Sequence, residues 1–295
     1  MIDMIKHIKK SATIAAIAGI MAILASCGGA PAETEMRVQT YEAPLVTGEF
    51  KTTVLKSGKS DAIILESAEN TIIIDCGEEN DGDEIVEYLQ SQGKTSVDYL
   101  IITHFDQDHV GGAPEVMANI EIGEIITPDY EGNNSEYTNF ITAAANMGKE
   151  ITRLTESRIV TLGDVLYEIY PPEKSSYDED DNDYSIVVKA THGSDTFLFA
   201  GDAETERLSE LYTQLDLDVD FLKVPHHGRL DDESETFINA VSPEYAVVTC
   251  SKKEGGEEEV LSMLESAGAE TYLTYNGTVT AVSTGDGITV TQTAQ

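Results

Sequence analysis

The order of elements in this chain predicts a layered α/β domain, with two β-sheets face to face and helices outside. Two observations carry the prediction. Short β-branched runs come first, strands then alternate with amphipathic stretches, and short strands close the chain. Two apolar runs, 97–102 and 219–224, read as buried strands that end in clusters of His and Asp.

Residues 52–56, 62–66 and 71–75 read as three successive strands joined by turns. Residues 83–92 are amphipathic, with Ile85, Val86 and Leu89 at helical spacing. A strand at 99–103 and a short helix at 113–119 follow, then a strand at 122–127 closed by Pro128 and a helix from 135 to 146 before Gly148. The strand 165–170 stops at Pro171-Pro172. Residues 184–190 and 196–200 form a hairpin across His192-Gly193-Ser194-Asp195. Helices at 203–215, 233–241 and 257–266 alternate with strands, and strands at 245–250, 271–274, 279–282 and 288–291 complete the chain. After the N-terminal segment, roughly 250 residues remain, enough to bury a substantial core.

Lys6, Lys9 and Lys10 precede an apolar stretch at 12–24, and Leu24-Ala25-Ser26-Cys27 is a lipobox. The apolar stretch is short for a membrane span. Residues 1–26 are expected to be a lipoprotein signal, Cys27 the lipidated residue, 27–48 a tether and 49–295 one domain. The body then lies outside the cytoplasmic membrane, held to it through a lipid anchor only.

Lys and Arg number 18 against 54 Asp and Glu, a formal charge of −36. Tight, extended nucleic-acid binding needs Lys and Arg along the phosphate path, so it is disfavoured. Phosphate chemistry stays open, because bound divalent cations reverse the potential locally. Cys76 and Cys250 each follow a strand-like run. They could form a disulfide or stay as buried thiols, and Cys76 could also ligate a metal. The acidic run 178–183 lacks a glycine at its sixth position and reads as a solvated loop rather than a calcium loop. No protein partner is legible.

Thr103-His104-Phe105-Asp106-Gln107-Asp108-His109-Val110-Gly111-Gly112 follows a buried strand and carries H-x-D-x-D-H. A turn lets consecutive side chains converge, whereas a strand sends them to opposite faces. Imidazole nitrogens and carboxylate oxygens together suit a divalent cation. Phe197-Leu198-Phe199-Ala200-Gly201-Asp202 and Lys223-Val224-Pro225-His226-His227-Gly228 repeat the pattern of ligands at strand ends.

With Ile74-Asp75-Cys76-Gly77 and the stretch 182–187, these segments in this order resemble the metallo-β-lactamase superfamily. Within it they resemble the C-terminal hydrolase domain of ComEC-type competence proteins. The resemblance covers about residues 50 to 290. Two features depart from common patterns: Asp106 stands where the wider superfamily has a second His, and Arg229 stands where the subgroup usually has Ser. The resemblance implies an αββα sandwich of two mixed sheets and a two-metal centre. His104 and Asp106 are assigned to one ion and Asp108, His109 and His226 to the other, with Asp202 bridging. Asp181, Asn182 or Asp183 substitutes, directly or through water, for a histidine missing from the first site. His192, in its hairpin turn, is not expected to be a ligand. Asp75 orients a ligand histidine through its second N–H. So carboxylate-rich a set takes Mn²⁺ as well as Zn²⁺.

The chemistry expected is metal-dependent hydrolysis, in which a water shared by the two ions loses its proton near neutral pH and attacks. Asp108 orients that water, and His227 either touches the leaving group or the non-bridging oxygen, or packs behind the ligands. Arg229 either pairs with an anionic substrate group or forms an ordinary salt bridge. The substrate expected is a phosphodiester, small or polymeric, of nucleic acid or the cell envelope. The alternatives are another ester, a lactone, a thioester or a lactam, or a surface lipoprotein that binds metal without catalysis.

Overall fold

Four strands at the start of the domain build the centre of one sheet: β1 (Phe50–Val54), β2 (Ala62–Ser67), β3 (Asn70–Cys76) and β4 (Ser96–Ile101). The computed structural model describes residues 44–177 and 181–294. The lipobox, the signal and most of the tether therefore lie outside the described residues, as do 178–180 of the acidic run. The sheet continues through β5 (Glu121–Pro128) to β6 (Ile151–Leu154) at one edge. At the other edge it ends in β14 (Thr278–Ser283) and β15 (Ile288–Thr293).

The second sheet has the order β13 (Glu270–Leu273), β12 (Tyr245–Val248), β11 (Phe221–Lys223), β10 (Asp195–Phe199), β9 (Val187–His192), β8 (Val165–Tyr170) and β7 (Arg158–Leu162). Both sheets are mixed. β3 to β6 run parallel, as do β10 to β13, and the remaining neighbours pair antiparallel.

Period-two alternation explains the layers. In β2, Ile63 and Leu65 face the second sheet, while Ala62 and Ile64 face helices. In β10, Phe197 and Phe199 point to the inter-sheet core, and Leu198 points to the opposite helices. Helices α1 (Asp81–Ser91), α3 (Ala113–Asn119) and α4 (Ser135–Asn146) cover the first sheet, next to the single turn α2 (Gln107–Val110). Helices α5 (Thr205–Gln214), α6 (Ser234–Val241) and α7 (Glu258–Ala267) cover the second. The architecture is the αββα sandwich that the sequence predicts.

Two strands escape sequence reading. β6 and β7 are the outermost strands of their sheets and are only partly buried, so neither carries an unbroken apolar run. No described helix is long and apolar enough to cross a membrane. Cys76 and Cys250 are both free and buried, in the cores on opposite sides of the sandwich, so no disulfide joins them.

Candidate metal centre

The C-terminal ends of β3, β4, β10, β11 and β12 meet at one edge of the sandwich, where parallel strands deliver their following loops to one place. The start of β2 joins them, because β2 pairs antiparallel with β3 and sets Ala62 opposite Cys76. Backbone bonds clip the loops together. Asp61 N–H donates to Asp108 O (3.0 Å), Gly77 N–H to Asp61 O (2.8 Å) and Ile186 N–H to Thr103 O (2.9 Å). Gly112 N–H adds a bond to Gly77 O (3.1 Å), an approach that needs glycine, since a Cβ there would lie 2.3 Å from Cys76 O.

Three buried imidazoles converge here, each with its Nδ1 occupied. His109 donates Nδ1–H to Asp75 Oδ2 (2.8 Å). Thr103 gives its hydroxyl to the same oxygen (2.6 Å) and its N–H to Asp75 Oδ1 (2.7 Å). With its proton committed, the Thr103 hydroxyl accepts from His104 Nδ1 (3.1 Å). Thr249 likewise donates to Asp61 Oδ1 (2.7 Å) and accepts from His227 Nδ1 (3.0 Å). The network therefore assigns all three protons to Nδ1. The three Nε2 atoms are left buried and without a hydrogen-bond partner among the described residues.

Carboxylates surround these bare nitrogens. Asp202 Oδ2 lies 3.2 Å from His109 Nε2 and 2.9 Å from His227 Nε2, and Asp108 Oδ2 lies 3.2 Å from His227 Nε2. His104, His109 and Asp202 form one compact group, and Asp108, His109 and His227 another. Asp106 stands at the mouth, its side chain 45% exposed and Oδ2 3.9 Å from His104 Nε2. This donor set fits divalent ions: buried lone pairs with no other partner, anionic oxygens, and an open side.

The titration behaviour agrees. Burial pushes the His104 imidazole well below its usual range, and His109 beside it adds to this. Burial would lower His109 and His227 too, but Asp202, with Asp75 for His109 and Asp108 for His227, more than offsets it. Burial would raise Asp108 and Asp202, but the neighbouring imidazoles hold both below the ordinary carboxylate range. The cluster thus demands positive charge at its centre, which a metal supplies in place of a proton.

The structure separates two histidines that the sequence leaves adjacent. His227 enters the cluster, while His226, assigned above to the second ion, turns away. His226 Nδ1 faces Glu204 Oε1 at 3.1 Å and Asp231 Oδ2 at 3.6 Å. Both residues sit in the left-handed region, at φ 47° and 53°, in a tight turn after β11. Consecutive side chains leave such a turn in different directions, and a left-handed β-carbon costs roughly 1–2 kcal/mol per residue. His227 therefore lies beside Asp108, Asp202 and His109, while His226 does not.

The three candidates for a further first-site ligand also go elsewhere. Asp183 Oδ1 accepts from Glu204 N–H (2.9 Å) and Arg207 N–H (3.1 Å) at the start of α5. Asn182 donates to Glu204 Oε1 (2.8 Å). Asp181 acts on Asp106 through its charge but belongs to neither compact group. His192 lies in a separate network, with Nδ1 bonded to Ser283 Oγ (2.7 Å) and Nε2 3.6 Å from Asp164. Cys76 belongs to none of the candidate metal groups among the described residues.

Sequence reasoning missed Asp61, Lys223 and Thr249. Lys223 is fully buried; its ammonium pairs with Asp61 Oδ2, donates to Gly201 O (3.1 Å) and lies 3.5 Å from Asp202 Oδ1. Burial alone would lower the Lys223 pKa, but Asp61 and Asp202 raise it above the usual value. The available signal was a lysine ending an otherwise apolar strand run, because a buried ammonium requires a carboxylate partner.

Fold and centre together define a metal-binding αββα protein. The chain belongs to the metallo-beta-lactamase superfamily, which residues 56–252 match. It is 25% identical over 200 residues to ComE operon protein 3 of Bacillus subtilis strain 168, covering 66% of this chain and 26% of that one. It is 28% identical over 169 residues to Recombination protein 2 of Haemophilus influenzae, covering 56% and 19%. Both similarities agree with the ComEC-type subgroup, and the chain spans only about a quarter or less of the length of these relatives. The fold also matches the metallo-beta-lactamase fold protein YhfI of Bacillus subtilis, with a TM-score of 0.53, 11% identity and coverage of 76% of this chain and 96% of that one.

Proposed function

We propose that this protein is a two-metal hydrolase of phosphodiesters, displayed outside the cytoplasmic membrane on a lipid carried by Cys27. The observation that carries the reading is the set of three buried, bare Nε2 atoms facing Asp202 and Asp108. His104 and Asp106 would hold one ion, and Asp108, His109 and His227 the other, with Asp202 shared. Bound divalent ions would supply Lewis acidity toward a phosphate oxygen and would make water a stronger acid.

The chain's own residues do the rest. Asp75 and Thr103 hold His109 and His104 with Nε2 inward, and the Asp61–Thr249 pair does the same for His227. Asp108, at the open side, orients the attacking water. A donor set with three carboxylates beside its three imidazoles suits hard oxygen ligands such as phosphate. The competence and recombination names of the relatives point toward nucleic acid. The strong negative charge points instead to a short or presented diester rather than a long duplex.

The test is a panel assay of Mn²⁺-loaded and Zn²⁺-loaded protein on bis-p-nitrophenyl phosphate, single-stranded DNA, nitrocefin and a thioester. Diester hydrolysis abolished by EDTA is expected. Turnover of nitrocefin or the thioester with both diesters left intact would replace this reading by acyl hydrolysis.

A further inference from the structure

Two of the loops that build the centre each carry a cation, Lys59 and Arg229, on a chain with three acidic residues for every basic one. Lys59 lies in the turn between β1 and β2, which is closed by Ser60 N–H to Ser57 O (3.1 Å) and by Ser57 Oγ to Ser60 O (3.0 Å). The same turn is clipped to the ligand loop through Asp61 N–H and Asp108 O. Lys59 Nζ reaches Asp108 Oδ2 at 2.6 Å from the solvent side, with its side chain still 29% exposed. An anion held at the ligand cluster is therefore within reach of this ammonium.

Arg229 follows the histidine turn and is exposed, and its N–H donates to His226 O (2.9 Å). Its charge acts on Lys59. Arg153, Arg158 and Arg207 each pair with a glutamate, whereas Arg229 has no carboxylate within ion-pair distance among the described residues. An arginine left without a carboxylate on so acidic a surface, beside a second cation and an open ligand cluster, has the form of an anion receptor.

We propose that Lys59 and Arg229 are the anion-recognition pair of this centre, taking the non-bridging oxygens of a phosphate ester held at the ligand cluster, an inference that rests on the phosphodiesterase reading above. Lys59 gives a point charge from the β1–β2 turn, and Arg229 a planar fork from the turn that follows His227. With Asp108 committed to a bound divalent ion, the Lys59 ammonium would be free to meet the substrate. Together they make the site selective for a phosphate ester over a neutral ester or lactam of similar size.

Calorimetric titration of inorganic phosphate into the Mn²⁺-loaded protein tests this, with metal content measured for every variant. Lys59→Met and Arg229→Met should each weaken phosphate binding about tenfold at unchanged metal content. Lys59→Arg should restore most of the loss. Lys149→Met, which removes a cation bonded to Ile122 O in β5, should change nothing. KM for bis-p-nitrophenyl phosphate should rise more than kcat falls. Phosphate binding unchanged in both Met variants overturns the proposal, and so does loss of metal together with phosphate in Lys59→Met. Failure of the phosphodiesterase reading looks different: the wild type binds phosphate through both cations yet leaves every diester intact.

Discussion

Lys223, the last residue of β11, buries its ammonium completely against Asp61, the residue just before β2, and so ties the two sheets together beneath the candidate metal centre. Asp61 holds Thr249 as well, and Thr249 holds His227. One ion pair thus supports both Asp202 and the orientation of the His227 imidazole. Lys223→Met keeps the stem and removes the charge, leaving Asp61 buried without a counter-ion. It should cost about 3 kcal/mol or more of unfolding free energy, read from the urea midpoint at constant slope.

The two adjacent histidines give a sharp contrast. The purified protein should bind about two divalent ions per chain, and His227→Ala should bind about one. His226→Ala, which removes only a partner of Glu204 and Asp231, should still bind about two. Elemental analysis after loading and desalting reads the difference. Equal losses in both variants would mean that the left-handed turn rearranges around metal.

Metal loading should also stabilise the fold, since the bare Nε2 atoms and the clustered carboxylates gain a partner only in the native state. At a hundredfold excess over Kd the gain is about 3 kcal/mol, visible as a rise in melting temperature that EDTA reverses. A melting curve indifferent to Mn²⁺, Zn²⁺ and EDTA would falsify the metal-centre reading.

Asp108→Asn is nearly isosteric, but it removes a charge that faces His227, Lys59 and the open side of the cluster. Diester hydrolysis should fall by roughly 10²-fold or more. Near-full activity in this variant would place the reacting water elsewhere.

Asp164 offers a pH test away from the centre. Its Oδ2 accepts from Thr47 N–H (2.7 Å), Thr47 Oγ1 (3.0 Å) and Gly48 N–H (2.9 Å). Burial would raise this carboxyl, but these three bonds hold it below the ordinary range. A depressed folded pKa gives stability that is full above the unfolded value of about 3.9 and lost as pH falls through the folded value. Asp164→Asn should therefore be about 1 kcal/mol less stable at pH 7. The gap should close as the pH is lowered below about 4, which denaturation curves at both pH values would show.

Cys27→Ala should release the protein from the membrane fraction without changing its activity on diesters. Continued membrane association of this variant would make the apolar segment 12–24 the anchor instead.

The sequence alone determined the layers, the family resemblance and the strand ends that carry ligands. Period-two apolar runs and helical spacing are local, and they predict most strands and all of the long helices. The same locality hid β6 and β7, whose edge positions require little burial. It also assigned His226 to the second ion where the structure turns His227 into the cluster, because adjacent identical residues differ only in where a left-handed turn aims them. Asp61, Lys223 and Thr249 come from three distant strand ends and become one network only when the two sheets pack. Those choices belonged to the tertiary structure, since a buried charge and an imidazole proton are placed by partners that no short stretch of chain contains.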